Sequence, residues 1–213
     1  MKQLQLLIIT DIHYIGTANH TCKIEKRRTR LSLELVQRVF LSVDMREVDL
    51  IVLLGDLVDN GNAPGAVTDL EALKEVLYKT GKRLIVVPGN HDVSAETVFT
   101  TFNDCEGLHD IDGYQIITFA DEFCKGDTTT RCINKMEKVF SQTDPDRPII
   151  TLQHNPIYPP IESTYPYNIT NAVQITEYYA KKGVNLSISG HAHWGIPEVV
   201  KDNVVYLTCP ALC

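Results

Sequence analysis

Several features are scarce in this chain, and each scarcity removes a class of answer. Its six cysteines, at 22, 105, 124, 132, 209 and 213, form no C-x-x-C pair and no zinc-knuckle spacing, which removes the thiolate metal sites such spacings make. In a reducing compartment they read as small buried hydrophobes or idle thiols. No apolar run approaches the ~20 residues that span a bilayer, so no membrane partner is expected. Basic residues are outnumbered, 20 Lys and Arg against 27 Asp and Glu, giving a formal charge of −7. No global field therefore gathers nucleic acid, which argues against it as a partner except as a short substrate. Repeats and low-complexity tracts are missing too, and with 44% hydrophobic and 22% charged residues the chain is not a disordered one.

The length of 213 residues suits a single domain over 1–213. Strand-like Leu4 to Thr10 begins almost at the first residue, with no basic n-region and no small-residue cleavage site, so the expected location is cytoplasmic. The Asn168-Ile169-Thr170 sequon is then unused, because glycosylation needs the secretory route.

What the chain does have is a repeated ending. Five apolar runs each stop at a polar group that could hold a metal: LLIITDIH at Asp11 and His13, LIVLLGDLVD at Asp56, LIVVPGNHD at Asn90, IITLQHN at His154, and LSISGHAH at His191 and His193. The runs at 4–10, 50–54, 84–87, 148–152 and 184–189 are short, rich in Ile, Leu and Val, and barely alternate, a pattern of strands buried on both faces. Between them, Leu31 to Val43 and Thr68 to Lys79 carry apolar residues at helical spacing, the second closed by Gly81 as a C-terminal stop. Strand, helix, strand, helix, strand predicts βαβ crossovers and a parallel sheet. Ligands bind outside the carboxyl ends of such strands, which is where the polar endings fall. Gly113 to Ala120 and Asn203 to Thr208 read as strands of a second sheet, with Ile133 to Ser141 a helix between them. The fold class is therefore α/β, with two mixed sheets packed face to face and helices outside.

The endings make a mixed set of oxygen and nitrogen donors. Asp11-x-His13 puts two on one side of an extended segment, Gly55-Asp56 adds a carboxylate where the backbone can turn close to an ion, and Gly190-His191-Ala192-His193 adds two imidazoles. With Asn90 and His154 the candidate ligands are seven, none a thiolate, which suits two divalent first-row ions, Mn, Fe or Zn, sharing one bridging carboxylate. Such a pair can clamp a phosphoryl oxygen.

The ordered blocks D-x-H, GDxxD, GNHD, H and GHxH, spread from residue 11 to residue 193, resemble the calcineurin-like metallophosphoesterase superfamily, in its bacterial branch of class III cyclic-nucleotide-phosphodiesterase type. The resemblance implies a four-layer αββα sandwich and a dimetal phosphohydrolase. It places Asp11, His13, Asp56 and His193 on one metal and Asp56, Asn90, His154 and His191 on the other, with Asp56 the bridge. His91 would ligate neither ion; it would donate a hydrogen bond or proton at the phosphate, with Asp59 orienting its ring. The implied reaction is attack of a metal-bridging hydroxide on a small phosphoester, phosphodiesters and cyclic nucleotides among them. Purple acid phosphatases resemble this pattern but carry a tyrosine where this chain has Asp59, so that branch is discounted. Two alternatives stay open: a nuclease acting on single-stranded or short nucleic acid, and a protein-binding scaffold on the same fold that has lost its chemistry.

Other segments carry weaker expectations. The basic cluster Lys23, Lys26, Arg27, Arg28 and Arg30 reads as a solvated helix start rather than a phosphate-steering lip, and His20 as a surface residue. Pro156 to Tyr167 is either a proline-braced surface loop or a wall of the site with Tyr158, Tyr165 or Tyr167 on the substrate. Family members usually continue past GHxH with strands that close the second sheet, whereas this chain stops at Cys213. Missing strands would leave an unpaired edge near Val204 to Leu207, and with it a homodimer.

Overall fold

A computed structural model describes residues 3–124 and 126–213. The chain gathers into two compact units, residues 3–105 with 211–213, and residues 106–210.

The first unit is built on three parallel strands, β1 (Leu6–Ile9), β2 (Leu50–Leu54) and β3 (Arg83–Val87), in that order. Every residue of β2 is fully buried, as the unalternating LIVLL run requires, and each such side chain stabilises the fold by roughly 1.5–3 kcal/mol. The crossovers are α1 (Ser32–Ser42) and α2 (Ala66–Tyr78), and α3 (Ala95–Phe102) follows β3. Leu70, Leu73 and Leu77 of α2 join Val36, Ile51, Leu53, Val98 and Phe102 in one core. Gly81, at φ 65°, ends the α2 segment with its N–H on the Tyr78 carbonyl, the stop its position predicts. Ser94 caps α3, its Oγ accepting the Thr97 N–H at 3.2 Å, a cap the sequence reading passed over.

The second unit holds a six-stranded mixed sheet. In chain order its strands are β4 (Gly107–Ile111), β5 (Tyr114–Thr118), β8 (Ile149–Leu152), β9 (Val184–Ser189), β10 (Ile196–Lys201) and β11 (Val204–Thr208), and in space they run β10-β11-β9-β8-β5-β4. A short hairpin, β6 (Glu122–Phe123) with β7 (Thr129–Thr130), and helices α4 (Ile133–Phe140) and α5 (Ala172–Lys182) complete it. Phe119, Phe140, Ile175 and Tyr179 fill its core.

Over the described residues the structure is thus α/β: a three-stranded sheet that is parallel throughout, a six-stranded sheet that is mixed, the short β6-β7 hairpin, and helices. Three of the strands with polar endings lie in the first sheet and two in the second, a division that the run of apolar segments does not show. The unpaired edge at Val204 to Leu207 is overturned. β11 pairs antiparallel with β10 on one side and parallel with β9 on the other. The expected homodimer loses its basis with it. The edge is taken by β10, a strand not expected from the sequence, where Pro197, Glu198 and Lys201 interrupt the apolar residues. Proline and a register irregularity between Ile196 and Val199 blunt that edge against further pairing.

Candidate metal centre

In the first unit the polar ends of β1 and β2 are laced together by backbone hydrogen bonds. The Asp11 N–H donates to the Gly55 carbonyl at 3.0 Å and the His13 N–H to that of Asp56 at 2.8 Å. The D-x-H segment is not extended as expected: Asp11, His13 and Asp56 have φ of 52°, 46° and 51°. Left-handed backbone costs an L-residue roughly 1–2 kcal/mol, and strain of this kind concentrates at functional sites. It aims three buried side chains inward. His13 Nε2 lies 3.4 Å from Asp56 Oδ2 and 3.9 Å from Asp11 Oδ1, and one ligand atom from each of the three falls within 4.8 Å of the others. Two carboxylates brought together out of water repel, and a divalent cation relieves that repulsion. Burial pushes the His13 imidazole below its usual pKa, with Arg27 and His91 adding to the effect and Asp56 and Asp59 opposing it. The neutral ring so favoured is the form a metal binds. Carboxylate and neutral imidazole together fit Mn, Fe or Zn.

The GNHD loop closes over Asp56. A Cβ on Gly89 would overlap Asp56 Oδ1 and the Asp56 nitrogen, so only glycine fits there. The His91 N–H donates to Asp56 Oδ1 at 2.9 Å. Asp92 braces the loop, its Oδ1 accepting the N–H groups of Leu57 and Val58 at 2.7 and 3.0 Å and its Oδ2 that of Gly89 at 2.9 Å. Asn90, half-buried, sits between these anchors.

His91 and Asp59 meet through the main chain. His91 Nδ1 lies 2.6 Å from the Asp59 carbonyl oxygen, whereas the Asp59 carboxylate faces His20 Nε2 at 3.0 Å, Arg27 Nη1 at 3.3 Å and His13 Nδ1 at 3.5 Å. Burial alone would raise the Asp59 pKa, but hydrogen bonds from His13 and His20 and the charges of His13 and Arg27 hold it well below the usual carboxylate range. Arg27 is therefore no solvated helix start, and His20 is no surface residue. Their side chains are only 12% and 16% exposed. The loop that carries them is anchored by Asp69 of α2, which accepts the N–H groups of Gly16, Thr17 and Ala18. Cys213 lies close by, its N–H on the Asp11 carbonyl. Burial pushes its thiol up to about 12, with Arg27 opposing and Asp11 and Asp59 adding.

In the second unit, His154 follows β8 and His191 follows β9, adjacent strands whose ends align. Gly190 donates its N–H to the His154 carbonyl at 2.9 Å, and His154 Nε2 faces His191 Nδ1 at 3.1 Å. Both rings are buried, and His191 has φ 66°. His193, half-buried, lies on the tight turn that links Gly190 to Gly195. The proline-rich loop divides in role. Tyr158 packs on Tyr206 at 5.4 Å with Lys201 Nζ over its ring, a structural contact. Tyr165 and Tyr167 instead lie against His191, with ring centroids 5.6 and 5.5 Å away.

Asp11, His13, Asp56, Asn90, Asp59 and His91 thus gather on the loops of the first unit, and His154, His191 and His193 on those of the second. Asp69, Arg27 and His20 are further contributors outside the blocks, and Asp92, the last residue of GNHD, braces the loop without a role expected of it.

Residues 4–195 match the family described as calcineurin-like phosphoesterase. The chain belongs to that family. As a member it is a metal-dependent phosphohydrolase of a family that binds two metal ions, and the side chains assembled above include a buried cluster of Asp and His. A Vesicomyosocius okutanii protein described as a "Probable cyclic nucleotide phosphodiesterase" is 22% identical over 184 residues, covering 83% of this chain and 75% of its own length. A Helicobacter pylori "Uncharacterized metallophosphoesterase" is 23% identical over 208 residues, covering 91% of this chain, which spans only 45% of that relative. Among solved structures, a dimetal phosphatase from Danio rerio superposes with a TM-score of 0.75 at 13% identity, covering 98% of this chain and 88% of its own. At that identity the likeness speaks for the fold alone. Among the described residues, no helix of this phosphoesterase is long and apolar enough to cross a membrane.

Proposed function

We propose that this phosphoesterase hydrolyses small phosphodiesters, cyclic nucleotides among them, at a centre of two divalent ions within one cytoplasmic domain. Asp11, His13, Asp56 and His193 would hold one ion, and Asp56, Asn90, His154 and His191 the other. When bound, the ions supply Lewis-acid polarisation of the phosphoryl group and a water-derived nucleophile at neutral pH. Mn, Fe and Zn all suit the donors.

The observation that carries the reading is the placement of His91. A carbonyl oxygen only accepts, so the 2.6 Å contact with Asp59 means that Nδ1 bears a hydrogen. Nε2 is then the atom that gains and loses a proton. The neighbouring main chain is fixed as well, since the His91 N–H is tied to Asp56 and its carbonyl accepts the Gly61 N–H at 2.7 Å. A proton donor so held can serve a leaving alkoxide, which is what diester cleavage needs. The arrangement of Asp59 with Arg27 and His20 sets charge beside His13 without adding a ligand. The description of the Vesicomyosocius relative supports the diester class, and the formal charge of −7 supports a small substrate over a polyanion.

The test is a phosphoester panel with added Mn: bis(p-nitrophenyl) phosphate, p-nitrophenyl phosphate, cyclic AMP and single-stranded DNA. Turnover of the diesters is expected. Activity on the monoester alone would sink the reading, and steep salt dependence on DNA would move it toward a nuclease.

A further inference from the structure

The second unit carries an aromatic row that none of the proposed chemistry uses. Tyr167 lies against His191, and Trp194 lies against Tyr167 with ring centroids 4.9 Å apart and planes at 81°. Trp194 is the only tryptophan of the chain and is 58% exposed. Whichever ring offers its edge in that contact, at least one indole face stays uncovered by Tyr167. Tyr165 flanks the row, packed on both Tyr167 and His191.

The row is held rigidly from behind. Asn155, fully buried, donates from Nδ2 to the Tyr167 carbonyl at 3.0 Å. Asn168 ties the loop to itself, donating to the carbonyls of Pro156 and Pro159 and accepting the Ile161 N–H. Tyr165 is anchored by its hydroxyl on Asp127 Oδ2 at 3.3 Å. An exposed indole on a stiff support loses little freedom when a flat group settles on it.

We infer that Trp194, held edge to face against Tyr167, offers its open face as a stacking platform for a purine or pyrimidine base, making nucleoside phosphoesters the substrate class. This rests on the phosphodiesterase reading above. One tyrosine ring separates His191 from Trp194, much as one ribose separates a phosphate from its base. Every base offers a π-face, so the platform selects for a base without selecting among bases.

The sole tryptophan makes the test direct. Adenosine 5′-monophosphate should quench Trp194 emission saturably, and ribose 5-phosphate at the same concentrations should not. In turnover, the preference in kcat/KM for a base-bearing over a base-free phosphodiester should fall about tenfold in Trp194→Ala, the scale of one base stack, and be restored in Trp194→Phe. Equal emission changes with both ligands, or a preference unchanged in Trp194→Ala, would overturn the platform. Emission is read without turnover. A wild-type enzyme that cleaves no diester therefore defeats the phosphodiesterase reading alone, and the quenching experiment still decides the platform.

Discussion

His91 is oriented by the main chain of Asp59, not by its carboxylate: Nδ1 lies 2.6 Å from the Asp59 carbonyl oxygen, and the carboxylate turns to His20 and Arg27. A substitution that keeps the backbone therefore keeps the contact. His91→Ala should slow turnover by about 10²-fold or more while leaving metal content intact. Asp59→Asn should cost less, because the ring stays oriented. Steady-state rates with metal content measured on the same samples check both, and a larger loss for Asp59→Asn would contradict this division of roles.

Gly89 leaves no room for a side chain beside Asp56. Gly89→Ala should therefore fold, by circular dichroism, yet bind metal more weakly than the wild type, because Asp56 must move to admit the Cβ. Unchanged metal titration would show that the loop yields instead.

Asp92 accepts three main-chain N–H groups, from Leu57, Val58 and Gly89. Asp92→Ala leaves them without that acceptor and should destabilise the fold by roughly 2–4 kcal/mol. Urea denaturation of metal-free protein gives the value.

Asp69 supplies a pH test. Burial would raise its carboxyl pKa, but the N–H groups of Thr17, Gly16 and Ala18 and the Thr17 hydroxyl outweigh it and lower the value. The stability it contributes is thus complete above its unfolded pKa near ~4 and is lost as pH falls below that. Asp69→Asn should be less stable than wild type at pH 7, and the gap should narrow as the pH drops through that range. A gap constant from neutral to acid pH would contradict the assignment.

Much of this was legible because burial and strand formation share one signal. Leu50–Leu54 and Val184–Ser189 appear at their predicted positions since fully buried strands need unbroken apolar runs. The missed strands have weaker runs but clear turns. Asp112-Gly113 at φ 51° and 94° joins β4 to β5, and Asp202-Asn203 at 51° and 65° joins β10 to β11, both two-residue hairpin turns of the kind such pairs favour. Reading the second would have shown that Val204 to Leu207 already had a partner. At the site, the blocks name the metal-competent side chains. The left-handed backbone at Asp11, His13, Asp56 and His191 is invisible in them, since a lone Asp or His at a strand end, unlike a paired turn dipeptide, does not signal positive φ. Arg27 and His20 were equally hidden, because they meet Asp59 across 32 and 39 residues from a loop with no periodicity.

Whether these side chains hold the proposed pair of ions is decided by metal content. After loading with Mn and removal of excess, elemental analysis of the wild-type protein should give about two ions per chain, with His91→Ala unchanged and Asp56→Ala markedly depleted. A wild-type protein that retains no ion, or a His91→Ala variant that loses its metal while Asp56→Ala keeps it, would contradict the account.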